Sequence, residues 1–153
     1  SSLLNALCRD DRAIVSDIPG TTRDILEHAI QLNGYPVVLT DTAGLRDNAD
    51  IIEAEGIKRA RKALNEADLA LVCIDSSCTS EQQIKKIISE EVPDKLGYCV
   101  VLNKVDLLGE APSREANRVA LSAKSADGVE LLCDWISDMV GYSDHGQGQI
   151  LAR

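Results

Sequence analysis

Two short polar runs in this chain each follow an apolar run. Asp41-Thr42-Ala43-Gly44 comes just after Tyr35 to Leu39, and Asn103-Lys104-Val105-Asp106 directly after Tyr98 to Leu102. If the apolar runs are strands, both polar runs arrive at strand C-terminal ends, where open α/β sheets bind ligands. A carboxylate at Asp41 can hold a water of a bound Mg²⁺, and Gly44, lacking a Cβ, lets its backbone N–H approach a terminal phosphate. The first run is thus a candidate γ-phosphate sensor, although the same tetrapeptide also makes an ordinary strand-to-loop turn.

The second run suits a purine reader. Asp106 can accept two parallel hydrogen bonds from the ring N–H and exocyclic amine of guanine, while Asn103 can bridge neighbouring loops and reach the base edge. Adenine lacks both donors at those positions, so discrimination on the order of 10⁴ is within reach of such a site. Ser122-Ala123-Lys124, after the short apolar run Val119 to Leu121, could bring the Ala123 backbone N–H to the guanine carbonyl. Upstream, Asp17-Ile18-Pro19-Gly20-Thr21-Thr22-Arg23-Asp24 carries two hydroxyls behind a Pro-Gly bend. Thr22 could ligate Mg²⁺ when a γ-phosphate is present and release the loop when it is lost. A plain turn is the alternative reading of that stretch.

The elements that must position these residues follow from periodicity. Ser2 to Cys8 reads as a helix with Leu3, Leu4 and Leu7 inward, and Arg9 to Asp24 as an aperiodic loop. Ile25 to Leu32 alternates and meets Tyr35 to Leu39 through the hairpin signal Asn33-Gly34. His28 reads as a half-buried strand residue, with no second ligand at metal spacing. Ile51 to Glu66 reads as a helix with Ile52, Ile57, Ala60 and Leu64 inward, Leu69 to Ile74 as a strand buried on both faces, and Ser80 to Glu90 as a helix. Asp127 to Val140 closes the series as a helix with Leu132, Ile136 and Met139 inward and Trp135 beside them, and Gly141 to Gln149 reads as a linker. Alternating strands and helices predict an α/β fold with a mostly parallel sheet, one antiparallel hairpin strand and flanking helices.

At 153 residues and 44% hydrophobic, the chain supports one domain, residues 1–140, followed by an exit linker, 141–153. Its five cysteines contain no C-x-x-C pair and read as reduced, mostly buried thiols. No apolar run approaches the roughly 18 to 20 residues of a membrane span. The formal net charge of −9 makes this acidic segment a poor partner for a nucleic-acid backbone.

The ordered set Asp-Ile-Pro-Gly-Thr-Thr-Arg-Asp, Asp-Thr-Ala-Gly, Asn-Lys-Val-Asp and Ser-Ala-Lys resembles the motif series of P-loop GTPases of the TrmE-Era-EngA-like branch. Within it, Ile14 to Asp24, Ile52 to Ala60 and the exit Gly148 to Arg153 resemble the G domain of the MnmE (TrmE) type of tRNA-modification GTPase. The resemblance implies a Ras-like P-loop fold whose first strand and most of the P-loop precede this chain, Ser1 being the last hydroxyl residue of the P-loop motif. It implies GTP bound by Ser1, Ser16, Asp17, Ile18, Pro19, Gly20, Thr21, Thr22, Asp41, Thr42, Ala43, Gly44, Asn103, Lys104, Val105, Asp106, Ser122, Ala123 and Lys124. Mg²⁺ would be held by Ser1 and Thr22, and K⁺ by Ser16, Ile18 and Thr21.

Ras-like enzymes place a water-orienting Gln where this chain has Leu45. By resemblance, the catalytic role passes to Glu53, acting through a bridging water, in a K⁺-dependent homodimer of G domains. From the residues alone, Glu53 is also a solvated first-turn helix residue favoured by the helix dipole. The same resemblance implies a cytoplasmic GTP hydrolase. It would work with an MnmG-type flavoprotein on the wobble uridine of tRNA, reached through the full complex, with folate bound only in a separate N-terminal domain. The isolated segment is expected to bind nucleotide poorly and to be inactive. A Der-like ribosome-assembly GTPase and a non-hydrolysing nucleotide-gated binding module are the alternative readings.

Overall fold

The apolar runs that precede the polar motifs are strands. The structure, a computed structural model, describes residues 2–16, 27–42 and 52–144. In chain order the elements are α1 (Ser2–Arg9), β1 (Ala13–Ser16), β2 (Glu27–Leu32), β3 (Tyr35–Thr40), α2 (Ile52–Glu66), β4 (Leu69–Asp75), α3 (Glu81–Glu91), β5 (Gly97–Asn103), a 3₁₀ turn (Val105–Leu108), β6 (Ser113–Arg114), β7 (Arg118–Ala120) and α4 (Val129–Asp144).

The α/β class holds, with more antiparallel pairing than expected. The described strands form a three-stranded ladder, β1-β2-β3, and a four-stranded one, β4-β5-β7-β6. The first is antiparallel throughout, whereas β4, β5 and β7 run parallel and β6 joins antiparallel. Two antiparallel strands are extra, the two-residue β6 and β1, and β1 lies inside the stretch read as an aperiodic loop. Its Ile14 and Val15 are 65% and 50% exposed, so no burial alternation marks it. Its order comes from a distant ladder, Ala13↔Leu32 to Ser16↔Ala29. The hairpin between β2 and β3 forms as expected, with Asn33 at φ 50 and Gly34 at φ 85, the left-handed pair that a two-residue turn demands. Asn33 also donates from Nδ2 to Ser137 Oγ at 2.9 Å, tying the hairpin to α4.

One core joins the two ladders. Leu3 and Leu7 of α1, Ile30, Leu32 and Val37 of the first ladder, Val101 and Val119 of the second, and Leu132, Trp135 and Ile136 of α4 pack together. The other face of β4 and β5 packs Ile74 and Val100 against Ile84 of α3. Residues of β5 therefore alternate between two cores, Cys99 and Val101 toward α4 and Val100 toward α3. This double burial anchors the loop that follows β5 to both cores.

Several inward assignments need correction. Ile57 and Met139 are each 39% exposed; α2 buries Gly56 together with the expected Ala60, and α4 buries Trp135 itself, whose Nε1 donates to the Ala116 carbonyl at 2.8 Å. Strand β4 is not covered on both sides along its length, since Cys73 is exposed and Leu71 and Val72 only half-buried. Helix α4 runs to Asp144, past the expected linker boundary at 140, because Val140 is buried and Gly141 lies against Tyr35.

The thiols divide accordingly. Burial pushes Cys99 and Cys133 up to about 12. Because the thiolate is the nucleophile, a thiol reagent at pH 8 should modify exposed Cys78 first and leave Cys99 and Cys133 untouched until unfolding. Mass mapping that finds Cys99 or Cys133 labelled in folded protein would contradict this packing.

Candidate nucleotide-base site

The C-terminal ends of β4, β5 and β7 meet at one sheet edge, and Asn103 joins them. It is the last residue of β5, in register with Asp75 of β4. Its Oδ1 accepts from the backbone N–H of Lys104 at 2.8 Å and from that of Ala123, beyond β7, at 2.9 Å. Its carbonyl accepts from Ser76 N at 3.0 Å and Ser76 Oγ at 2.6 Å. The expected bridging role of Asn103 is therefore present, and it spans three loops.

Beyond Asn103 the chain turns sharply. Lys104 adopts φ 68, a left-handed conformation that costs a non-glycine residue about 1 kcal/mol or more, so contacts must hold it. Val105 plugs the turn into the core at 2% exposure, and its N–H donates to the Leu121 carbonyl at 3.3 Å. Asp106 then stands exposed on the first turn of the 3₁₀ segment, with no hydrogen bond or ion pair to its carboxylate among the described residues. A carboxylate fixed at the base but open at the tip can accept two N–H donors in one plane.

The loop after β7 is built just as tightly. Ser122 is buried and takes the Ser125 N–H on its Oγ at 3.3 Å, while its own N–H donates to the Asp127 carbonyl at 2.9 Å. Gly128 sits at φ 87, where a Cβ would lie 2.6 Å from Pro112 Cβ and 3.1 Å from the Ala120 carbonyl oxygen. Only glycine closes this loop without displacing β7's exit. Ser122 and Val105 thus act as anchors of their loops. Lys124 is exposed, and the Ala123 N–H already serves Asn103, so meeting a guanine carbonyl through that amide requires exchanging one hydrogen bond for another.

A cavity of about 450 Å³ lies between α1 and this loop, lined by Asn5, Ala6, Arg9, Ala123, Lys124 and Ala126 among others. Asn5 and Arg9 stand on the solvated face of α1 that helical periodicity gives them. Sequence reasoning missed Asp75 and Ser76, whose signal is their register beside Asn103.

At the other motif, Asp41 and Thr42 follow β3 and are half-buried. Asp41 has the chemistry to hold a water of Mg²⁺. Ser1, Asp17, Ile18, Pro19, Gly20, Thr21, Thr22, Ala43, Gly44 and the side chains of Ser16 and Glu53 lie outside the described residues. The backbone of Glu53 falls in the first turn of α2.

These features agree with known proteins. The family described as 50S ribosome-binding GTPase matches residues 1–104. The chain belongs to that GTPase family. Among its curated relatives, the tRNA modification GTPases MnmE of Azoarcus sp. (strain BH72) and Francisella tularensis subsp. novicida (strain U112) are 44% and 45% identical over the whole of this chain. The chain spans 35% of the length of each. A solved structure of Era in complex with MgGDPNP and nucleotides 1506-1542 of 16S ribosomal RNA superposes with a TM-score of 0.66 at 24% identity, covering 89% of this chain and 51% of that one. The fold is therefore that of a P-loop GTPase domain. Among the described residues no helix is long and apolar enough to cross a membrane.

Replacing Asn103 by Ala leaves the buried Ala123 N–H without an acceptor, which should lower stability by about 1 to 3 kcal/mol in urea unfolding of the full-length protein. A loss under about 0.5 kcal/mol, within the range of a neutral surface change, would show that Asn103 does not join the loops.

Proposed function

We propose that this chain is the guanine-nucleotide module of a GTP hydrolase that serves tRNA wobble-uridine modification. The observation that supports it most is the open carboxylate of Asp106 on a loop immobilised by Asn103, in a family of GTPases. The two MnmE relatives, similar along the whole of this chain, support the tRNA-modification reading. By the same likeness the full protein works with an MnmG-type flavoprotein in the cytoplasm and meets tRNA through that complex. The GTPase domain runs through the end of α4 at Asp144, and the stretch beyond leads toward a helical domain.

In this reading Asp106 accepts the guanine N1–H and amine, Ala123 or its neighbour approaches the carbonyl, and Asp41 and Thr42 face the γ-phosphate end. Mg²⁺, held by Ser1 and Thr22 with Asp41 on one of its waters, would neutralise phosphate charge. Ser16, Ile18 and Thr21 would form the K⁺ contact in a homodimer of G domains. Glu53 orients water at the start of α2, replacing the Gln that Leu45 cannot imitate. The family's description as ribosome-binding favours a second reading, a Der-like assembly GTPase, which cosedimentation of the full-length protein with ribosomal particles would support.

In the full-length protein, Asp106→Asn should weaken GTP and improve xanthosine triphosphate, whose C2 oxygen accepts from the new amide. Unchanged GTP affinity in a titration would end the base-reading assignment. Glu53→Ala should leave nucleotide affinity near that of the parent and reduce turnover more than tenfold, about 1.4 kcal/mol of barrier. Replacing K⁺ by Na⁺ should lower both turnover and dimerisation; turnover indifferent to Glu53 and to the cation would remove the proposed mechanism.

A further inference from the structure

We propose that Arg12 is a positioning residue for the phosphate end of the site, a clamp that sets the register of β1 and with it the place of Ser16 and of the motif that follows. The inference rests on the reading of Ser16, Ile18 and Thr21 as a K⁺ contact and adds a residue that this reading does not include.

A strand's register is ordinarily fixed by its buried face. Strand β1 offers little of one: Ile14 is 65% exposed and Val15 50%, and of its described side chains only Ala13 packs against the core. A one-residue slip turns every side chain to the other face, which costs little where both faces meet solvent. The ladder with β2 would lose a single rung, yet Ser16 would move about 3.3 Å along the strand. A displacement of that size breaks a contact to a bound cation. Something other than side-chain burial must therefore hold β1 in place.

The residue before the strand supplies that constraint. Arg12 Nε lies 3.3 Å from Asp134 Oδ1 on α4, and its Nη1 lies 3.7 Å from Asp10 Oδ1 at the end of α1. Both carboxylates belong to stretches fixed by the core, α1 through Leu3 and Leu7 and α4 through Leu132, Trp135 and Ile136. The Arg12 N–H donates to the same Asp10 Oδ1 at 3.0 Å, and the Ala13 N–H to the Asp10 carbonyl at 2.9 Å. On the opposite strand, Asn33 donates its backbone N–H to the Arg12 carbonyl at 3.1 Å and its side-chain amide to Ser137 Oγ at 2.9 Å. Asp134 and Ser137, three residues apart, share a face of α4. One stripe of α4 thus holds both residues of the rung at which the β1–β2 ladder begins. A guanidinium suits this task, since its planar fork meets two carboxylates in fixed directions where an ammonium offers a point charge.

The test uses the full-length protein and three readouts: GTP turnover against K⁺ concentration, GDP titration, and hydrogen exchange over residues 13–16. Arg12→Ala should raise the K⁺ concentration for half-maximal turnover about fivefold, the upper end for an exposed ion pair, and speed exchange over 13–16 by a similar factor. The GDP Kd should stay within about twofold of the parent, because the base-reading loops belong to the other ladder. Asp134→Ala should reproduce both changes, and the double variant should add nothing further, as two ends of one contact do. Arg114→Ala, which breaks the pair that β6 makes with Asp138 of α4, should move neither readout. Asp134→Asn supplies the comparison if the Arg12 variant does not fold. An unchanged K⁺ requirement in folded Arg12→Ala, a shift that Asp134→Ala does not share, or an equal shift in Arg114→Ala would overturn the proposal. Parent turnover indifferent to K⁺ would instead overturn the K⁺ reading beneath it, and exchange over 13–16 would then decide the clamp alone.

Discussion

The site depends on one side-chain amide. Asn103 Oδ1 takes two backbone N–H groups that no ladder serves, one in its own turn and one beyond β7. Its carbonyl takes two donors from the loop after β4. Three loops that would otherwise be independent are thereby fixed to the end of the most deeply packed strand. Each of these bonds is worth only about 1 kcal/mol net, but an orphaned buried partner costs more, so the arrangement is hard to leave by small steps. The left-handed Lys104, the plugged Val105 and the open Asp106 all follow from holding the chain at that point.

Charge at this edge is mixed. The chain carries a net charge of −9, and the cleft between α1 and the loop after β7 sets Arg9 and Lys124 beside Asp10 and Asp11, while the Lys104 ammonium is paired with Asp75. The acidic surface discourages contact with a polyanion.

Much of this was legible before the fold was known. Asp41 and Asp106 could be placed at strand ends because the preceding runs are continuous and apolar, and the Asn33-Gly34 hairpin has a left-handed turn that few other pairs satisfy. What was not legible depends on tertiary partners. Strand β1 shows Ile14 and Val15 to solvent and is defined by β2, so nothing local separates it from a loop. Ile57 and Met139 fit a helical inner face by spacing, but their helices turn Gly56 and Trp135 inward instead.

The central claim is that this sheet edge distinguishes guanine from adenine. Calorimetric titration of the full-length protein with GDP and with ADP, in the same Mg²⁺ and K⁺ buffer, tests it most directly. The account predicts that GDP binds at least about a hundredfold more tightly, since ADP would leave the Asp106 carboxylate facing a base edge without donors. Equal dissociation constants for the two nucleotides would contradict it.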